Sequence, residues 1–219
     1  MSVRICAGAA EAVAGIRDGS TVLIGGFGMA GMPVRLLDAL IEQGAGDLTV
    51  VSNNAGNGDT GLAALLAAGR VRKVICSFPR QPDSWVFDGL YRAGRIELEL
   101  VPQGTLAERM RAAGAGIGAF YTRTGAGTPL AEGRETRKID GRTHVLEYPI
   151  KGDVALIGAH RSDRMGNLVY RKTARNFGPV MATAADLVVA QVGAIVETGA
   201  LDPEVIVTPG IYVDRVVAV

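Results

Sequence analysis

The sequence is short of several residue types, and each shortage closes off a class of chemistry. Histidine occurs only at His144 and His160, which excludes a histidine-rich metal site and leaves both as structural or surface residues. Cysteine occurs only at Cys6 and Cys76, in unrelated contexts and without C-x-x-C spacing. Two reduced thiols are the simpler account, with a disulfide between them as the alternative. Neither sign of charge is in excess: 23 basic residues face 22 acidic ones, for a net of +1. That balance describes a solvated surface, with no basic tail for nucleic acid and no basic face for a membrane. No apolar run approaches the roughly 18 residues of a membrane span, and the stretch Val22–Val34 is broken by four glycines and a proline. The opening Met1-Ser2-Val3-Arg4-Ile5-Cys6 lacks the apolar core of a signal peptide. The expectation is a soluble, cytoplasmic protein without nucleic-acid or membrane partners.

What is present is a core-forming chain. Hydrophobic residues make up 48% of its 219 positions and glycine accounts for 30 of them, enough for one α/β domain over 1–219. Apolar runs rich in β-branched residues occur at Thr21–Ile24, Leu48–Ser52, Lys73–Ser77, Ile96–Val101, Val154–Ile157 and Leu187–Val192. Helical patterns lie between them at Ala9–Arg17, Pro33–Gln43, Thr60–Ala68, Ser84–Ala93, Leu106–Ala113 and Thr173–Ala185. Strands apolar almost throughout belong in a sheet covered on both faces, and intervening helices make it parallel. The predicted fold is α/β: an open, mostly parallel sheet flanked by helices.

Punctuation residues support these limits. Pro33 suits the first position of a helix, and Gly44 and Gly69 follow helical runs where a left-handed C-cap is wanted. Asp140-Gly141 between Glu135–Ile139 and Arg142–Glu147 predicts a tight hairpin, a small antiparallel excursion. The Gly/Ala stretch Ala112–Ala119 reads as a mobile loop inside the domain.

The sharpest local feature runs from Asp18 to Pro33, where a strand enters a glycine-rich loop that opens a helix. Glycines let a backbone approach a ligand closely, and loop N–H groups near a helix start favour anions or a developing oxyanion. Gly26-Phe27-Gly28-Met29-Ala30-Gly31 also fits G-x-G-x-x-G. A dinucleotide site, however, wants an acidic residue at the end of the next strand, and that strand ends in Ser52-Asn53-Asn54, with Asp47 at its wrong end. Dinucleotide binding and a purely structural turn stay as lesser alternatives.

Asp18–Pro33 resembles, at every position, the first signature of the family I CoA-transferases: Asp-Gly, two residues, three aliphatics, Gly-Gly-Phe, three residues, Gly-x-Pro. The likeness continues through Leu48–Gly56, Leu100–Arg109, Gly127-Thr128-Pro129 with Glu132-Gly133, Arg171–Phe177 and Thr208–Val213. It implies the A-type (alpha) subunit, with the open α/β fold shared by the ribose-5-phosphate isomerase group. In that family the nucleophilic glutamate sits in a Ser-Glu-Asn-Gly motif on the B-type subunit. No Glu-Asn-Gly occurs here, and Glu97, Glu108, Glu132 and Glu197 read as surface or capping residues. The resemblance thus implies that the partner in a hetero-oligomer is the B-type CoA-transferase subunit, with ping-pong transfer through a glutamyl-CoA thioester on it. Acyl-CoA and small carboxylic acids would be substrates; no metal or permanently bound cofactor is required, coenzyme A itself being carried as a thioester substrate.

By the same match, Gly25, Gly26, Phe27, Gly28, Met29, Ala30 and Gly31 are the candidate backbone donors and CoA contacts. Asn53, Asn54 and Gln103 are the candidate amides of the acyl pocket, expected at strand ends, where ligands gather in open α/β sheets. Taken alone, Asn53-Asn54 could be a simple turn. Within the family, Cys76–Asp88, Asn57-Gly58 and Tyr91–Gly94 look most like the 3-oxoadipate transferases of aromatic-compound breakdown, which take CoA from succinyl-CoA. Relatives using acetoacetate or short fatty acids are the alternative, and a non-catalytic nucleotide-binding module is the alternative of another class. Arg80 and Arg123 are candidates for a distal carboxylate, with a plain surface arginine the default for each.

Overall fold

A computed structural model describes residues 3–219; Met1 and Ser2 of the N-terminal stretch lie outside the described residues. The first half runs β1 (Arg4–Ile5), α1 (Ala9–Val13), β2 (Thr21–Ile24), α2 (Val34–Gln43), β3 (Leu48–Val51), α3 (Leu62–Ala67), β4 (Val71–Cys76), α4 (Trp85–Arg92), β5 (Glu97–Leu100) and α5 (Gln103–Gly114). Next come β6 (Phe120–Thr122), β7 (Thr136–Ile139), β8 (Arg142–Glu147), β9 (Gly152–Ala159), β10 (Arg161–Asp163) and β11 (Leu168–Val169). A 3₁₀ turn at Lys172–Arg175 precedes α6 (Gly178–Thr183), β12 (Ala185–Val192), β13 (Ile195–Val196) and β14 (Arg215–Ala218).

Eight strands form one sheet in the order β1-β14-β12-β9-β2-β3-β4-β5, and every pairing in it is parallel. Alternation along each strand explains why the runs are apolar throughout. Val22, Ile24, Val50, Val154 and Leu156 enter the core on one face; Leu23, Val51, Ala155, Ile157 and Val188 enter the core on the other. The first face is covered by α1 to α4 and the second by α5 and α6, with Leu36, Leu40, Leu62 and Phe87 packing from one side and Leu106, Met110 and Met181 from the other. Burying one such side chain contributes about 1.5–3 kcal/mol.

The strand order reverses between β2 and β9. From β2 the chain steps outward through β3, β4 and β5; from β9 it steps the opposite way through β12 and β14. Connections diverge at that junction and leave a crevice beyond the strand ends, where open α/β sheets bind ligands.

The expected hairpin forms. β7 and β8 pair antiparallel across Asp140 and Gly141, both at positive φ (49° and 73°) as a two-residue primed turn demands. β6 completes a three-stranded sheet there, and β10, β11 and β13 make a second small one. These short strands, with β1 and β14 at the edge of the main sheet, carry no periodicity long enough to be predicted. Gly44, at φ 97°, caps α2 in the left-handed conformation as anticipated, whereas Pro33 stands one residue outside the helix, as its N-cap.

Two expectations are corrected. The helix read over Thr173–Ala185 is a 3₁₀ turn, a break at Asn176 (φ 21°) and then α6, because Asn176 turns out of the helical region and its side-chain Oδ1 accepts the Phe177 N–H. The loop read over Ala112–Ala119 starts too early: Ala112–Gly114 belong to α5, and a Cβ at Gly114 would sit 2.5 Å from Thr183 Oγ1, so the glycine there permits α5 to pack on α6.

Candidate active site

Gly25–Gly31 leaves β2 at the reversal point. Its hydrogen bonds are largely internal or tied to neighbouring segments. The Gly25 N–H donates to the Leu156 carbonyl (2.9 Å), and Phe27 and Ala30 exchange N–H···O bonds of 3.0 and 3.2 Å, closing a miniature hairpin. The Gly26 N–H donates to Asn176 Oδ1 at 3.1 Å. Outside these bonds stand the N–H groups of Gly28, Met29 and Gly31. Nothing lies within 4 Å of where a Cβ at Gly28 would project, and the side chains of Phe27 and Met29 are about half exposed. The tip of the loop is therefore open to a ligand.

The dinucleotide alternative fails on geometry. A pyrophosphate would need the first amides of α2, yet the N–H groups of Arg35 and Leu36 donate to Gln191 Oε1 at 2.9 and 3.2 Å. The helix start is capped from β12.

β3 lies beside β2, and Asn53 and Asn54 follow its end after Ser52. Both are buried. Asn53 Oδ1 accepts from Ser77 Oγ at 2.8 Å and from Gln103 Nε2 at 2.7 Å. Two donors on one oxygen fix which way the amide faces, leaving Nδ2 as its donor end. The backbone carbonyl of Asn53 accepts the N–H groups of Ser77 and Phe78 (3.2 and 3.0 Å), so the segment that follows β4 also grips this residue. Gln103 is the first residue of α5 rather than the end of a strand: Pro102, with its fixed φ, turns the chain into a helix that begins earlier than its apolar pattern indicates.

Asn54 departs from its neighbour. Its Oδ1 accepts the Gly56 N–H at 2.9 Å in an Asx turn, while its Nδ2 is buried without a partner among the described residues, like Ser52 Oγ and Thr105 Oγ1. Buried orphans of this kind are rare in folded chains. The structure thus joins Asn53 directly to Gln103 and gives Asn54 the local turn that its sequence also allowed.

Among the described residues no buried carboxylate is free of a partner. Glu147 is buried but bonded to Arg134, with Arg109 at 3.8 Å; buried Asp163 accepts from the N–H groups of Met165 and Asn167. Glu97, Glu108, Glu132 and Glu197 lie at the surface. Both cysteines are buried and unpaired, and burial pushes the Cys76 thiol up to about 12, so it is no nucleophile. Arg80 is paired to Asp88 at 2.7 Å and Arg123 is exposed. Among the described residues no group of three or more His, Cys, Asp and Glu side chains is placed to hold a metal, and no helix is long and apolar enough to cross a membrane. A groove of about 720 Å³ between α1 and α2 carries no convergent amides.

Sequence reasoning missed Ser77, Asn176 and Gln191 as supports of the site. Ser77 and Asn176 lie inside segments singled out above; for Gln191, in the middle of an apolar strand pattern, no local signal exists.

The model of the coenzyme A transferase family matches residues 7–219. The chain is 69% identical over 210 residues to the A-type subunit of 3-oxoadipate CoA-transferase from Pseudomonas putida, covering 96% of this chain and 91% of that protein. It is 64% identical over 209 residues to the protein of the same name in Acinetobacter baylyi, covering 95% and 92%. Among solved structures, an acyl-CoA transferase (YdiF) apoenzyme from Escherichia coli O157:H7 superposes with a TM-score of 0.89 at 25% identity. All of this chain is covered, but it spans only 47% of that longer one.

Proposed function

The chain belongs to the coenzyme A transferase family, and on that premise we propose that it is the A-type subunit of a transferase moving CoA from succinyl-CoA to 3-oxoadipate. The observation that carries the proposal is the Asn53–Gln103 pair: two amides locked together beyond the strand ends, beside an open glycine loop, with no free carboxylate among them. The identity to the two 3-oxoadipate subunits supports the choice of acid, since the relative named a probable succinyl-CoA:3-ketoacid transferase subunit in Bacillus subtilis stands at 50%.

In this reading the attacking carboxylate belongs to the B-type subunit. It adds to the succinyl-CoA carbonyl and expels CoA thiolate, leaving a mixed anhydride. The thiolate attacks the enzyme's side of that anhydride, forming a glutamyl-CoA thioester and releasing succinate. A carboxylate of 3-oxoadipate then attacks the thioester, and returning thiolate completes 3-oxoadipyl-CoA and regenerates the enzyme carboxylate. Splitting one transfer into such exchanges is covalent catalysis. Each attack places negative charge on a carbonyl oxygen, and donors already fixed towards it lower the barrier by about 3–4 kcal/mol apiece. Asn53 Nδ2, Gln103 and the open N–H groups of Gly28 and Met29 are the donors this polypeptide supplies. No resident cofactor takes part, and the working location is the cytoplasm, in a route of aromatic breakdown.

Co-expression with the B-type partner, followed by assay on 3-oxoadipate and acetoacetate, tests the reading. Ping-pong transfer favouring 3-oxoadipate is expected; transfer by the isolated chain, or a preference for acetoacetate, contradicts it.

A further inference from the structure

We propose that the turn Lys172–Asn176 is a phosphate subsite for coenzyme A, with Lys172 and Arg175 as the cations that receive it. The inference rests on the CoA-transferase reading and adds what the motifs did not reveal, namely which basic residues hold the far end of the substrate.

The turn's placement comes first. It packs against the glycine loop at the reversal of the sheet, the crevice where this architecture gathers ligands. The attachment is tight. A Cβ at Gly31 would lie 2.3 Å from the Ala174 carbonyl oxygen. Asn176 fastens the two segments with both ends of its amide: Oδ1 accepts the Gly26 N–H (3.1 Å), and Nδ2 donates to the Ala30 carbonyl (2.9 Å) and to that of Thr173 (3.0 Å). A ligand lying over the loop's open tip therefore meets this turn at a fixed position.

Its conformation is uncommon. Lys172 (φ 51°) and Asn176 (φ 21°) account for two of the four non-glycine residues with positive φ among the described residues. Backbone held in such regions persists where surrounding structure enforces it, and it gathers at binding sites. The strain bends the segment so that Lys172, Thr173, Arg175 and Asn176 line one side of a cleft of about 520 Å³, with Phe27 on the other.

The charges are the third observation. Lys172 and Arg175 are exposed, and neither makes an ion pair among the described residues. Two unpaired cations facing a half-exposed phenyl ring suit a phosphate-bearing ligand with an apolar part. An arginine fork and an ammonium are the usual partners of phosphate oxygens. CoA offers two such groups, the diphosphate and the 3′-phosphate.

The test uses the enzyme assembled with its B-type partner and compares the wild type with Lys172→Gln/Arg175→Gln on three succinyl thioesters: of CoA, of dephospho-CoA and of pantetheine. The double variant should lose at least about tenfold in kcat/KM on succinyl-CoA and less than about twofold on succinyl-pantetheine, which has no phosphate to lose. Loss on the dephospho ester equal to that on succinyl-CoA assigns the diphosphate; little loss there assigns the 3′-phosphate. A matching loss on all three thioesters, or on none, overturns the proposal. Titration of the assembled protein with free CoA and with pantetheine provides a readout independent of turnover, with CoA alone expected to weaken. If the wild type binds CoA but does not transfer it, the proposed function fails while the subsite still stands or falls on this titration.

Discussion

Gln103 Nε2 donates a 2.7 Å hydrogen bond to Asn53 Oδ1, joining the first residue of α5 to the loop that ends β3, fifty residues earlier in the chain. Since the same oxygen also accepts from Ser77 Oγ, the amide of Asn53 is held at once by α5 and by the segment that follows β4. Preorganisation of this kind is what lets a donor act on a transition state without moving first.

Truncating Gln103 removes one amide and frees the other. Gln103→Ala should lower kcat about 10²–10³-fold, the scale of losing one oxyanion donor, with little change in CoA affinity. Steady-state kinetics beside CoA titration measures both; a change confined to affinity contradicts the placement. Ser77→Ala should give a smaller loss in the same direction.

Two of the loop's glycines, Gly28 and Gly31, should answer differently to alanine. At Gly28 the added methyl meets open space, leaving only the left-handed backbone penalty of about 1–2 kcal/mol. At Gly31 it also collides with the Ala174 carbonyl and must force loop and turn apart. Thermal melts should therefore rank Gly31→Ala well below Gly28→Ala. An equal loss from both would mean the loop and the turn are not in contact.

Neither thiol should react in the folded protein. Burial raises both, Cys76 to about 12. At pH 8 a thiol-disulfide reagent should find no rapid thiol in the native protein and two after denaturation. One fast-reacting thiol in the native state contradicts the burial.

Acid should weaken the junction between the main sheet and α5. Desolvation alone would raise the Glu99 carboxyl, but hydrogen bonds from Arg109 (2.8 Å) and Lys73 (2.7 Å) outweigh it and hold it below its ordinary value. A folded value beneath the unfolded one adds stability above the unfolded value, about 4.3, which is lost as pH falls through the folded one. Urea melts from pH 6 to pH 3 should show a decline that Glu99→Gln makes shallower. An unchanged slope contradicts the role of the pair.

Much of this protein could be read from the chain itself. The β2 run Thr21–Ile24 and the β3 run around Val50 are buried on both sides, so uninterrupted apolar residues announced a parallel sheet directly. Asp140-Gly141 specified its hairpin because a primed turn needs two residues tolerant of positive φ. The strip from Gly26 to Gly31 was legible as a glycine loop leaving a strand for the same local reason. Asn54 was not settled by sequence, since an Asx turn and a pocket amide use the same residue type.

Tertiary structure decided whatever depends on residues far apart in sequence. The capping of α2 by Gln191, which closes the helix start to a pyrophosphate, crosses 155 positions. The grip of Asn176 on the glycine loop crosses 150. Local propensity reports only the conformations a short segment prefers, so the chain alone set the central strands, the Asp140-Gly141 turn and the glycine loop. Which amide faces which oxygen follows from strand order and from the reversal between β2 and β9, and those exist only once the whole sheet has assembled.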